Sequence, residues 1–166
     1  MPATYESIAT TTLGTAAASV TFSTISGSYT DLVLVTSTKM ATADKSLALQ
    51  FNGDTGTNYS ITNLYGSGTA GGSYRLSTQS NMLLDNYGYI DTVNFKSTII
   101  SIQNYSNNTT YKTVLSRANN ASTGVDAIVG LWRNTAAITS ITLITQQGGS
   151  NFVTGSTFTL YGIKAA

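Results

Sequence analysis

Side chains in this chain alternate, two residues at a time, between apolar and polar, and short clusters of Gly, Asn, Asp and Ser interrupt the alternation. The clearest stretch is Ser46–Asn52. Leu47, Leu49 and Phe51 take one parity, and Ser46, Ala48, Gln50 and Asn52 take the other. A repeat of two is the side-chain period of a β-strand, with one parity turned to a core. Comparable runs at Val20–Ile25, Asp31–Thr36, Tyr59–Leu64, Asn94–Asn104, Tyr111–Arg117, Ala127–Trp132, Ile138–Thr145 and Thr157–Ile163 predict further strands. Weaker ones fall at Tyr5–Leu13 and Ser73–Asp85. β-branched and aromatic residues fill these runs, and such residues pack well on a pleated surface. Between them, clusters such as Asn52-Gly-Asp-Thr-Gly56, Gly66-Ser-Gly68 and Ser106-Asn-Asn108 supply the backbone angles of tight turns. No amphipathic helix of useful length is predicted. The expected fold is all-β: an antiparallel β-sandwich, jelly-roll-like, with residues 1–14 as an N-terminal arm or edge strand and 15–166 as a single domain.

Composition narrows the chemistry. The 166 residues include no histidine, no cysteine and seven carboxylates. A Ser-His-Asp triad and thiol chemistry are therefore absent, and no catalytic residue, metal site or cofactor is expected. Charged residues make up 9% of the chain, against roughly 25% in an ordinary soluble domain. With a net charge of +1, copies repel one another weakly and associate readily. The eight cations form no run or stripe, so nucleic acid is not an expected partner. The longest aliphatic run, Leu32-Val-Leu-Val35, is too short for a membrane helix, and the opening Met1-Pro-Ala-Thr-Tyr-Glu-Ser7 lacks the pattern of a secretory signal. Pro2 is the only proline, so sheet edges need pairing, bulges or cover instead.

Three groups of residues are candidate sites. Asn52, Asp54 and Asn58 form an oxygen-rich loop, but calcium prefers six to eight oxygens with several carboxylates, and Asn-Gly favours a hairpin turn. Asp85 and Asp91 flank Tyr87-Gly-Tyr89 and are the pair a glycosidase reading would use; turn or capping roles are the plainer expectation. Tyrosines near loops, with Trp132-Arg133 at a strand end, are the candidates for partner contact: Tyr5, Tyr59, Tyr65, Tyr74, Tyr87, Tyr89, Trp132 and Arg133. Such side chains dominate interface hot spots, and tyrosine rings also stack on sugars; core packing is the competing role for many of them. The arm Pro2–Thr12 is a candidate for strand addition to a neighbour's sheet.

Several segments resemble small bacteriophage virion proteins found in phages of aquatic bacteria. They are Met1–Gly14, Val20-Thr-Phe22 with Ser26–Val35, Leu49–Tyr59, and the ending Gly155–Ala166. The resemblance touches both ends of the chain and its first third. It implies a β-rich virion protein, often a homotrimer, acting as a capsid cement (decoration) subunit on the major capsid protein. The alternative it implies is a tail-fibre or baseplate module that binds a host carbohydrate. No catalytic residue is carried over.

Overall fold

A computed structural model describes residues 4–42, 45–87, 91–146 and 149–164. The alternating runs form strands, and the described residues contain no helix. In order these are β1 (Tyr5–Thr12), β2 (Ser19–Phe22), β3 (Asp31–Thr38), β4 (Leu47–Phe51), β5 (Tyr59–Gly66) and β6 (Gly71–Gln79). There follow β7 (Met82–Leu83), β8 (Lys96–Ile102), β9 (Lys112–Asn120), β10 (Gly124–Trp132), β11 (Ile141–Thr145) and β12 (Thr157–Ile163). One sheet has the order β1-β12-β3-β8-β9-β10-β5-β6, and the other β2-β11-β4-β7. Neighbouring strands pair antiparallel throughout. The all-β sandwich expected from the alternation is what forms. A jelly roll has eight strands in two Greek keys; here twelve strands divide eight to four among the described residues. The weak run Ser73–Asp85 is split between β6 and β7, which lie in different sheets.

The core lies between the sheets. From the larger sheet, Leu32, Leu34, Ile61, Ile100, Ile102, Val114, Ile128, Phe158 and Leu160 point inward. From the smaller come Val20, Phe22, Leu47, Leu49, Phe51, Ile141 and Leu143. Each such side chain stabilises by about 1.5–3 kcal/mol when fully removed from water. Two glycines allow unusually close approach. An added Cβ at Gly130 would meet Met82 Sδ at 2.2 Å, where β7 lies over β10. One at Gly162 would meet the Tyr29 ring at 2.3–2.6 Å.

Both outer strands of the large sheet are bulged. On β1 the register steps from Ser7↔Tyr161 to Ala9↔Leu160, leaving Ile8 as an extra residue. On β6 it steps from Ile61↔Leu76 to Tyr59↔Gln79, with Thr78 at φ 56 in the extra stretch. In each case the additional residue belongs to the edge strand itself. Of the two expectations for residues 1–14, the described residues show the edge strand: β1 pairs with β12 of its own chain, from Tyr5↔Ile163 to Thr12↔Thr157. Its sheet hydrogen bonds on that side are thus already used, and the edge-strand alternative describes it. Lys164 Nζ contacts Glu6 Oε1 at 2.7 Å, and Tyr29 also donates to Glu6, fastening the end of β1.

Gly162→Ala is expected to destabilise the fold by about 1–3 kcal/mol, the usual cost of overpacking, because the rigid Tyr29 ring cannot yield locally. Urea denaturation measures this, and an unchanged midpoint would contradict the packing described.

Candidate functional site

The candidate contact residues fall into three environments. Tyr59 and Trp132 are fully buried, and with Phe51 they form an aromatic cluster whose ring centroids lie 5.4–6.5 Å apart. Their candidacy for partner contact is corrected: both are core. Their polar ends serve the turn after β4. Trp132 Nε1 donates to Asp54 Oδ2 at 2.7 Å, and the Tyr59 hydroxyl donates to Asp54 O while accepting from Phe51 N. Arg133 donates to Thr57 O, Ser60 Oγ and Tyr59 O, so its guanidinium is used within the chain.

Tyr65, Tyr74 and Tyr87 do gather. Tyr65 and Tyr87 stack with centroids 3.6 Å apart and planes at 9°, and Tyr74 lies 6.3 Å from Tyr65. The Tyr65 ring also packs over Gly72, whose added Cβ would lie 2.9–3.3 Å from it. Tyr87 covers one face of that ring. The trio fastens the segment after β7 to the β5–β6 hairpin. Tyr5 is exposed on the edge strand, edge-on to Tyr161. Tyr89 lies outside the described residues.

The carboxylates serve the backbone. Phe51–Asp54 is a turn with Asn52 at φ 52 and Gly53 at φ 68, closed by Asp54 N donating to Phe51 O, and paired positive angles are those of a type I′ turn; the hairpin expected here is corrected, because β4 and β5 lie in different sheets and the loop crosses between them. Asp54 accepts from Gly56 N, Asn58 Nδ2 and Trp132 Nε1. Partial burial works against ionisation there, yet these donors hold its carboxyl below the ordinary value. A ring of N–H donors is the opposite of what a cation needs, so the turn expectation describes this loop. Asp91 likewise accepts from Val93 N, Asn94 N and Asn120 Nδ2. Asp126, inside the large sheet, accepts from Asn63 Nδ2, Asn86 N and Tyr87 N.

Asp85 is the exceptional carboxylate. It is fully buried, 2.9 Å from the equally buried Lys96 Nζ, and it also accepts from Leu47 N. Burial pushes its carboxyl up to about 6, against the pull of Lys96 and the Leu47 N–H. In the sequence Lys96 is one of eight cations that form no run or stripe. Its inward parity on β8 was the available signal, since Thr98, Ile100 and Ile102 share it.

A different surface stands out. On the outer face of the large sheet, Leu64 and Val125 are 63% and 55% exposed, and Val35, Ile99, Leu115 and Val129 are also exposed. Register sets them side by side. One row across the strands reads Val35–Ile99–Arg117–Ala127–Leu64. The next reads Val33–Ser101–Leu115–Val129–Thr62. Two open depressions of about 670 and 590 Å³ lie over these rows. Neighbouring strands stand about 4.8 Å apart, so the five strands from β3 to β5 span roughly 19 Å. Contiguous apolar patches of a few hundred Å² mark interaction sites more often than chance exposure. The face was legible as consecutive aliphatics: Val33-Leu34-Val35, Ile99-Ile100, Val114-Leu115 and Ile128-Val129.

Compared with known proteins, the chain matches no family model and no curated protein sequence.

Lys96→Met is expected to cost about 3–5 kcal/mol at neutral pH, because it strands a buried carboxylate. The double variant Asp85→Asn/Lys96→Met should recover part of that loss. A carboxyl raised above its unfolded value adds stability below that unfolded value, and the contribution fades as pH climbs through the folded one. Without Lys96 the folded value moves higher still, so the Lys96→Met deficit should shrink from pH 8 to pH 5. Urea melts across that range test it, and a pH-independent deficit would refute it.

Proposed function

We propose that this chain is a structural subunit of a phage particle, a capsid cement protein that holds neighbouring major capsid subunits together, acting as a homotrimer. The observation that carries the reading is the outer sheet face, where aliphatic side chains on five adjacent strands stand exposed. An antiparallel sheet facing water on one side alternates apolar inside with polar outside, whereas here the outward parity of each of the five strands also carries an exposed aliphatic residue: Val35, Ile99, Leu115, Val129 and Leu64. Such a face is complete only when something covers it.

Further support comes from the sparse charge, because docking a surface of Thr, Ser, Ala and Val removes few charges from water. The carboxylates described are occupied in turns, in the Asp85–Lys96 pair and in the Glu6–Lys164 pair, which suits a scaffold. Similarity of the terminal segments to small phage virion proteins points the same way. Many copies on one shell turn a modest contact into firm attachment through avidity.

The test mixes the purified chain with heads of the parent phage assembled without it. Cosedimentation with the heads, and greater resistance of those heads to bursting, are expected. Val129→Lys is expected to weaken that binding by about 30-fold, corresponding to about 2 kcal/mol at an interface centre, with the thermal midpoint unchanged because residue 129 faces solvent. Wild-type chain that stays in the supernatant would refute the virion role.

A further inference from the structure

Arg117 lies in the middle of the apolar face, and nothing on that face balances it. Ile99 and Ala127 are its cross-strand partners, and Leu115 and Asn119 are its same-face neighbours along β9. Its guanidinium has no hydrogen bond or ion pair among the described residues, whereas Arg133 spends its own on three oxygens. Asp126, on the adjacent strand, has the opposite parity and is buried. Asp31 is the one carboxylate of outward parity on the central strands. It sits at the far end of β3, roughly 13 Å along the strand from Val35, and accepts from Asn104 N.

Any partner that covers the aliphatic rows must also cover this cation. Enclosing an unpaired guanidinium costs several kcal/mol, so the cover has to bring an acceptor. A carboxylate matches best, since two parallel N–H···O bonds fit the planar fork. The same face of a second copy brings another Arg117, and its outward carboxylate on these strands is Asp31, at the far end of β3 and already accepting from Asn104 N. The two rows, roughly 19 Å across the strands and about 7 Å apart, with Val125 beyond one of them, form a broad and nearly flat surface. That suits a protein surface of the standard interface class.

We infer that the outer face docks on an apolar patch of the capsid subunit that carries an Asp or Glu, and that Arg117 pairs with that carboxylate. This rests on the virion reading. The face supplies adhesion through its aliphatic rows and selects its partner through one charge, because a surface lacking the carboxylate leaves the cation stranded.

The experiment uses the same heads lacking the chain, with wild type, Arg117→Lys and Arg117→Glu, each checked for an unchanged thermal midpoint. Binding is expected to fall about tenfold for Arg117→Lys, which loses the bidentate fork, and at least 100-fold for Arg117→Glu. Capsid-gene suppressors of Arg117→Glu are expected to replace one Asp or Glu by Lys or Arg. Wild-type binding with Arg117→Glu equally tight overturns the inference and leaves the virion reading standing. Failure of wild type to bind heads removes both. Concentration-dependent self-association of wild type, abolished by Arg117→Glu in sedimentation velocity, would assign the face to a second copy. Flotation with phosphatidylglycerol vesicles, lost in Arg117→Glu, would assign it to a membrane. Either result overturns the proposal.

Discussion

Strand register is the constraint on which the rest depends. Alternation fixes each strand only to within two residues, because a shift of one exchanges the faces while a shift of two preserves them. Buried polar groups remove that remaining freedom. Lys96 can meet Asp85 in only one alignment of β8, and Asn63 of β5 reaches Asp126 of β10 in only one alignment of that pair. Ser116 adds a third point by donating to Leu84 O from β9. Moving any of these strands by two residues would leave a buried charge or polar group without its partner, at a cost larger than the apolar rows would notice. Apolar periodicity thus chooses the faces, and a few expensive polar contacts choose the alignment.

Much of this was legible in the sequence. Period-two runs located the strands, including the faint one at Tyr5–Leu13, because β-branched residues and punctuating Gly and Asn agree locally. The turn at Asn52-Gly53 was readable for the same reason: both residues tolerate positive φ. What could not be read was partnership across the sequence. Trp132 and Tyr59 look alike as surface anchors or core plugs until Asp54 is seen to receive the indole N–H, 78 residues away in the chain. Lys96 illustrates the same limit, because its counter-ion Asp85 stands just beyond the short strand β7, at the end of a run whose period is weak. Division of twelve strands into eight and four follows from long-range pairing, which no local pattern encodes.

The candidate surface reverses the usual lesson about tyrosines. Aromatics near loops attracted notice, yet most of them fasten the chain to itself. The outward aliphatics were plain in the sequence as adjacent pairs, and they read as strand filler because one parity was assumed to be the core. The outward parity of the central strands carries aliphatic residues among its polar ones, and the smaller sheet covers the inward parity. Those outward positions are hydrophobic residues beyond the ones the single core absorbs.

The extra residues on β1 and β6 have a further consequence. A broad sheet with two straight, open margins would let copies zip together side by side, and such growth has no natural stopping point. A kink built into each margin spoils the ladder that an incoming strand would have to match. Copies of the chain would therefore stay dispersed instead of polymerising into fibres through their sheet margins.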